Sequence, residues 1–173
     1  MTTYQIFPVA DSYVKNDDPN KNFGKENYIY FRHGYVIHRG FVKFNFTEIG
    51  TINKATIFYQ PTLSIGMIEG WEIWETEKNW EEDTITWNNQ PTWLSPLISV
   101  KDVGNILYSH DITNYIKAQK DGIASLSFKI IGETTGSFNA GRGFASRESE
   151  IKCYLIIETI PTPALLVVSS KIE

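Results

Sequence analysis

The sequence predicts an all-β chain: a jelly-roll β-sandwich of two antiparallel sheets with one short inserted helix. Three observations carry this. Apolar residues recur at every second position in run after run, and a period of two marks a half-buried strand. Aromatic residues make up 14% of the 173 residues, and rings favour the pleated surface of strands. Roughly ten such runs follow one another with polar turns between them, the spacing of a sandwich rather than of alternating strands and helices.

Tyr4 to Val9 reads as the first strand, and Asp11 to Val14 continues it past a kink at Pro8. Lys15 to Lys25 is rich in Asn, Asp, Gly and Pro and reads as a loop. Asn27 to Arg32 alternates, with Tyr28 and Tyr30 on one face and Ile29 and Phe31 on the other. His33-Gly34 breaks it. Arg39 to Phe46 is the clearest strand: Val42, Phe44 and Phe46 point one way, Phe41, Lys43 and Asn45 the other. Ala55, Ile57 and Tyr59 make the buried face of the next strand. Pro61 to Gly70 reads as a turn region, and Trp71 to Glu75 as a further strand. Leu97 to Val103 and Leu107 to Asp111 follow as strands. Ile112 to Lys120 is the one helical candidate, with Asp111 as its N-cap and Gly122 as its stop. Ala124 to Ile131 alternates again, Gly132 to Gly143 reads as a loop, and Phe144 to Arg147 as a short extended piece. Lys152 to Thr159 is the last strand, with Cys153, Leu155 and Ile157 on one face.

One stretch stands apart. Between Asn79 and Pro91 come Trp80, three consecutive acids (Glu81, Glu82, Asp83), a β-favouring run from Thr84 to Trp87, and Asn88-Asn89-Gln90-Pro91. Pro lacks an N–H and Asn favours turns, so regular structure stops there. The expectation is a long connection that carries one short strand and pins itself with two buried rings, Trp80 and Trp87.

Composition excludes several function classes. The net charge is −4 with no basic tail or stripe, which argues against nucleic acid and against acidic membrane surfaces as partners. Cys153 is the only cysteine, so there is no internal disulfide, and no Cys/His spacing suggests zinc. No signal-peptide pattern opens this sequence, and no apolar run reaches membrane-spanning length.

A set of short segments, in this order, resembles a known family. They are Ala10-Asp11-Ser12-Tyr13-Val14, Asn22-Phe23-Gly24, Arg39 to Phe46, Asn79-Trp80 through Pro91, His110-Asp111-Ile112-Thr113, and Phe144-Ala145-Ser146-Arg147-Glu148. Together, over about residues 4 to 158, they resemble the DNRLRE domain, also called carbohydrate-binding module family 96. The tryptophan stretch followed by Phe-Ala-Ser-Arg-Glu is the most specific part. The resemblance implies a β-sandwich module of a microbial surface protein or polysaccharide-degrading enzyme. It implies a polysaccharide partner, acidic in some members, and a place outside the cell or on a cell or spore surface. Residues 1–160 then form the module, and residues 161–173 a Pro-linked apolar tail.

Candidate residues follow from side-chain chemistry. Arginine suits sugars that carry a carboxylate, because its fork is bidentate. Arg142, after a Gly-rich loop, leads the ligand candidates, with Arg147, Arg32 and Lys15 beside it; Lys21 adds charge in the first loop. Arg147 has a structural alternative as partner of an acid such as Glu148 or Asp83. Asp11, Asp17 and Asp18 are hard oxygen donors in one short stretch and form the candidate set for a structural calcium ion, the only cofactor expected. Catalysis is not expected. Three adjacent acids point in different directions and fit poorly the facing pair that glycoside hydrolysis needs, and no Ser sits in a nucleophile elbow.

The competing reading is a self-assembling structural subunit of a surface layer, spore coat or appendage. After Pro161 and Pro163 comes Ala164-Leu165-Leu166-Val167-Val168. A short β-branched run of this kind suits strand addition to a neighbouring chain, giving a homo-oligomer or filament.

Overall fold

The computed structural model describes residues 1–133, 139–150 and 153–161. Twelve strands are present among them: β1 (Thr2–Ile6), β2 (Pro8–Lys15), β3 (Tyr28–Gly34), β4 (His38–Asn45), β5 (Ile52–Tyr59), β6 (Pro61–Ile65), β7 (Gly70–Thr76), β8 (Trp93–Lys101), β9 (Tyr108–Asp111), β10 (Ile123–Ile130), β11 (Asn139–Ala145) and β12 (Tyr154–Thr159). One helix, α1 (Thr113–Ala118), lies between β9 and β10. Every strand pair is antiparallel. The smaller sheet has the order β1-β12-β5-β9; the larger runs β6-β11-β3-β4-β10-β7-β8, with β2 also paired to β4. The protein is an all-β sandwich with almost no helix, as the alternation predicts.

The core lies between the sheets. β4 sends Val42 and Phe44 inward, β10 sends Leu126 and Phe128, β7 sends Trp71 and Ile73, and β5 sends Ala55, Ile57 and Tyr59. Phe31, Tyr59, Trp71, Phe128 and Phe144 meet at centroid separations from 4.9 to 6.2 Å, the range in which tilted rings attract. Helix α1 is shorter than expected and starts one residue later, with Ile112 rather than Asp111 at its N-cap position; Asp111 Oδ1 accepts the Thr113 N–H at 2.8 Å. Gly122 then takes φ +68 beside Thr47, a conformation that favours glycine.

Two expected loops contain strands. Pro61 to Ile65 forms β6, and β11 begins at Asn139 inside the expected Gly132 to Gly143 loop. Both are short, and glycines in β11 hide the alternation. The Thr84 to Trp87 strand does not form. Residues 82–84 make a turn and Trp87–Asn89 a 3-10 turn. Thr86 and Asn89 cap that turn: the Thr86 N–H and hydroxyl both donate to Asn89 Oδ1, at 2.6 and 2.9 Å. Local side-chain bonds therefore satisfy what a sheet partner would have satisfied. No helix among the described residues is long and apolar enough to cross a membrane. The tail residues Leu165, Leu166, Val167 and Val168 lie outside the described residues.

Candidate functional site

The tryptophan stretch covers the outer face of β2 and β4 and builds a second, smaller core there. Ala10, Val14, Phe41, Trp80 and Ile85 pack together, with Trp87 against them. Trp80 is 4% exposed, its Nε1–H donates to Ser125 Oγ at 2.8 Å, and Lys43 lies 4.6 Å over its ring. Trp87 is only half-buried; the Arg39 guanidinium sits between its ring and that of Trp93, at 4.2 and 4.5 Å.

The same stretch fastens the first loop. Asn22 Nδ2 donates to Glu82 O and Ile85 O at 2.6 and 2.8 Å. Asn88 Nδ2 donates to Asn20 Oδ1 at 2.8 Å, and Lys25 pairs with Asp83 at 2.9 Å. Gly24 presses on the Glu82 backbone, where a Cβ would not fit. The three acids point to different places, although Glu82 and Asp83 share Lys25. Glu81 reaches toward Lys43 at 4.0 Å, Asp83 meets Lys25, and Glu82 turns inward to accept the Asp11 N–H at 3.0 Å. Ligand atoms of Asp11, Glu82 and Glu148 lie within 4.8 Å of one another. Arg147 sits beside them, 3.5 Å from Glu82 and 3.4 Å from Glu148, and its N–H donates to Asp11 Oδ2 at 2.7 Å. Burial pushes the Asp11 carboxyl up to about 7.

β3 builds a different surface. Ile29 and Phe31 enter the core; on the opposite face of β3, Tyr28 is exposed while Tyr30 and Arg32 are partly buried, Tyr30 against core residues. In β11 the residues paired with Tyr28, Tyr30 and Arg32 are Ala145, Gly143 and Gly141. Beyond lie Leu63 and Ile65 of β6, paired with Gly143 and Gly141. On the other side Arg32 pairs with His38 of β4, and His38 with Lys15 of β2. The paired residues across five strands are Lys15, His38, Arg32, Gly141 and Ile65; β3 meets β4 only through Arg32 and His38, and His38 lies on the Val42 and Phe44 side of β4.

The glycines keep this face low. A Cβ at Gly143 would come within 3.2 Å of Tyr30 Cδ1, and one at Gly141 within 2.7 Å of Arg32 Cβ. The Tyr30 ring therefore lies over the strand. Tyr13 stacks on His38 and on Phe23 at 5.3 and 4.5 Å, and Lys21 and Lys15 stand 4.8 and 5.5 Å over Phe23. Burial first, and then Arg32 and Lys15, hold the His38 pKa down to about 4. His38 is neutral at pH 7, and because Asp17 and Asp18 counter Lys15, the positive charge of this region comes from Arg32 and Lys21.

The four arginines separate cleanly. Arg39 pairs with Glu133 at 2.5 Å. Arg142 is 7% exposed and spends its guanidinium on Asp102, Gly66 O and Gly141 O. Arg147 is taken by Glu82 and Glu148, so its acid partners are Glu148 and Glu82 rather than Asp83. Arg32 alone has no carboxylate partner among the described residues, and its Nε has no hydrogen-bond partner. Of the four ligand candidates, Arg32 and Lys15 come together, while Arg142 lies in the wall of the sandwich. The alternation of Arg142 with two glycines turns it inward, a signal available in Gly141-Arg142-Gly143. The platform residues Tyr28 and Tyr30 were readable as one face; their pairing with glycines was not. Of the calcium candidates, Asp17 and Asp18 pair with Lys15 at 3.3 and 2.8 Å, and only Asp11 joins the carboxylate cluster. Calcium takes six to eight oxygens; three carboxylates already countered by Arg147 and Lys25 supply part of such a set.

The model of carbohydrate-binding module family 96 fits residues 2–159. A gellan lyase from Bacillus sp is 26% identical over 183 residues, covering 96% of this chain. The chain spans only 7% of that relative's length. The sandwich, its strand order and its fastened loops extend over the whole matched region, and the chain belongs to carbohydrate-binding module family 96.

Proposed function

We propose that this protein is a non-catalytic module that binds an acidic polysaccharide through the face of β3 and β11, as part of a protein that acts outside the cell. The observation that carries the reading is Arg32, partly buried, with no hydrogen-bond partner for its Nε and no carboxylate of its own among the described residues, beside Tyr28 and Tyr30 and linked through His38 to Lys15. A uronate carboxylate would take the place of the missing acid, and the tyrosine rings would meet the sugar faces. A broad, low surface suits a polymer lying across it. The gellan lyase relative supports a polysaccharide partner and makes gellan one polymer to test.

The test is binding of alginate and gellan by calorimetry, with the chain and with its Arg32→Ala variant. A charge-assisted hydrogen bond contributes about 1.5–3 kcal/mol, so Arg32→Ala should weaken binding about tenfold or more. Its melting temperature should stay unchanged, because Arg32 holds no other side chain. Affinity should fall steeply as salt rises. Equal binding by Arg32→Ala, or affinity indifferent to salt, would remove the acidic reading. Release of reducing ends from either polymer would overturn the non-catalytic one.

A second reading, self-assembly, is supported by the free edge of β1. Thr2 to Gln5 are exposed, and among the described residues β1 pairs on one side only, with β12. Such an edge accepts an added strand.

A further inference from the structure

Among the described residues, one flank of the sandwich is open. β8 ends the larger sheet and β9 ends the smaller one, and a cavity of about 750 Å3 lies there. Small-molecule sites occupy about 300–1,000 Å3. Its walls come from Asn53 and Lys54 on β5, Pro96 and Leu97 on β8, Asp111 on β9 and Asn114 on α1.

The chemistry of this lining is specific. The side chains of Asn53, Asn114 and Lys54 make no hydrogen bond to another described residue. Each amide offers a carbonyl and an NH2 in one plane, which can accept from one hydroxyl and donate to the next. Hydrogen bonds from Thr113, one of them at 2.8 Å to Oδ1, hold the Asp111 carboxyl below its usual range. It is an ionised acceptor at neutral pH. Pro96 and Leu97 give an apolar wall. Neighbouring hydroxyls on the rim of a ring, with C–H groups on its face, are the pattern of a pyranose. Lys54 and Asp111 cancel in charge, so nothing here favours a carboxylate-bearing unit over an uncharged one.

We infer that this cleft is a second saccharide-binding site, for uncharged sugar units, separate from the Arg32 face. Asn53 and Asn114 bond adjacent hydroxyls, Asp111 and Lys54 complete the ring of contacts, and Leu97 packs on the sugar face. The module then has two kinds of subsite, one governed by charge and one by hydroxyl geometry.

The test titrates the 15N-labelled full chain with cellohexaose, mannohexaose and galactohexaose. The side-chain amide signals of Asn53 and Asn114 should shift with at least one of them. The shift should persist in about 0.5 M salt, where surface charge is screened, and in the Arg32→Ala variant. Replacing both Asn53 and Asn114 by Ala should weaken that binding about tenfold while leaving alginate binding and the melting temperature unchanged. If no hexaose moves the amide signals, or the double variant binds as the parent does, the inference falls. If the signals of Tyr30 and Arg32 move instead, the sugar sits on the other face; the cleft is then refuted while the Arg32 reading stands.

Discussion

Asp11 shows how burial sets the behaviour of a single residue. It is 2% exposed beside Glu82 and Glu148, and its carboxyl is held up to about 7 against an ordinary 3.8. A raised folded pKa means the stability from this group is fully present below about 3.8 and is lost as pH rises through about 7. His38 acts in the opposite sense over part of the same range. Its pKa is lowered to about 4, so its contribution is present above its ordinary 6.5 and is lost as pH falls through about 4. The net curve of the parent chain therefore hides both. The difference between Asp11→Asn and the parent isolates the first. The variant should gain on the parent as pH goes from about 4.5 to 8, by an amount of the order of a few kcal/mol at about 1.4 per displaced pH unit. Thermal melts across that range measure it. A difference that stays flat would show that Asp11 titrates normally, and that Arg147 offsets its burial fully.

The tryptophan stretch is the element that fixes its neighbours, and its two rings are not equivalent. Trp80 is enclosed between Phe41, Lys43 and Ser125. Trp80→Ala should cost roughly 3–5 kcal/mol, about 10 °C in melting temperature for a chain of this size. Trp87 is half-buried under Arg39, so Trp87→Ala should cost well under that. Equal losses would mean that the cation–ring stack over Trp87 matters as much as the enclosed indole. What the sequence revealed of this element follows from the physics of each part. The length, the anchoring role and the closing Asn-Asn-Gln-Pro were legible because turn chemistry is local. The absent strand was not, because Thr84 to Trp87 has strand propensity and only the Thr86 and Asn89 side-chain bonds override it. The sheets were legible wherever strands alternate over eight residues, as in β4 and β10. β6 and β11 escaped, since five residues opening on a proline and a Gly-Arg-Gly run carry little periodicity. The candidate site was half legible for the same reason. Alternation puts Tyr28, Tyr30 and Arg32 on one face, but which arginine finds an acid depends on Asp102, Glu133 and Glu82, all distant in sequence.

At the scale of the whole molecule, a chain of net charge −4 keeps a region whose positive charge comes from Arg32 and Lys21, so charge distribution rather than net charge governs its partners. Among the described residues, the outer edge of β1 has no strand beside it. The described chain ends at Pro161, just after Ile160 donates its N–H to Thr51 O at 2.9 Å. Pro161-Thr162-Pro163 then leads to the apolar run Ala164 to Val168. To lie beside β1 of its own chain, that run would have to reverse direction and pass one strand within three residues, two of them prolines. Pro fixes φ and has no N–H to give a ladder, so a connection this short and stiff disfavours that return. The β1 edge of a second copy carries no such restriction. Size-exclusion chromatography with light scattering should therefore show the full chain as an oligomer. The chain lacking residues 161–173 should be a folded monomer that still binds alginate. A monomeric full chain at high concentration would rule out tail-driven assembly. A shortened chain that unfolds would show instead that the tail completes its own sandwich.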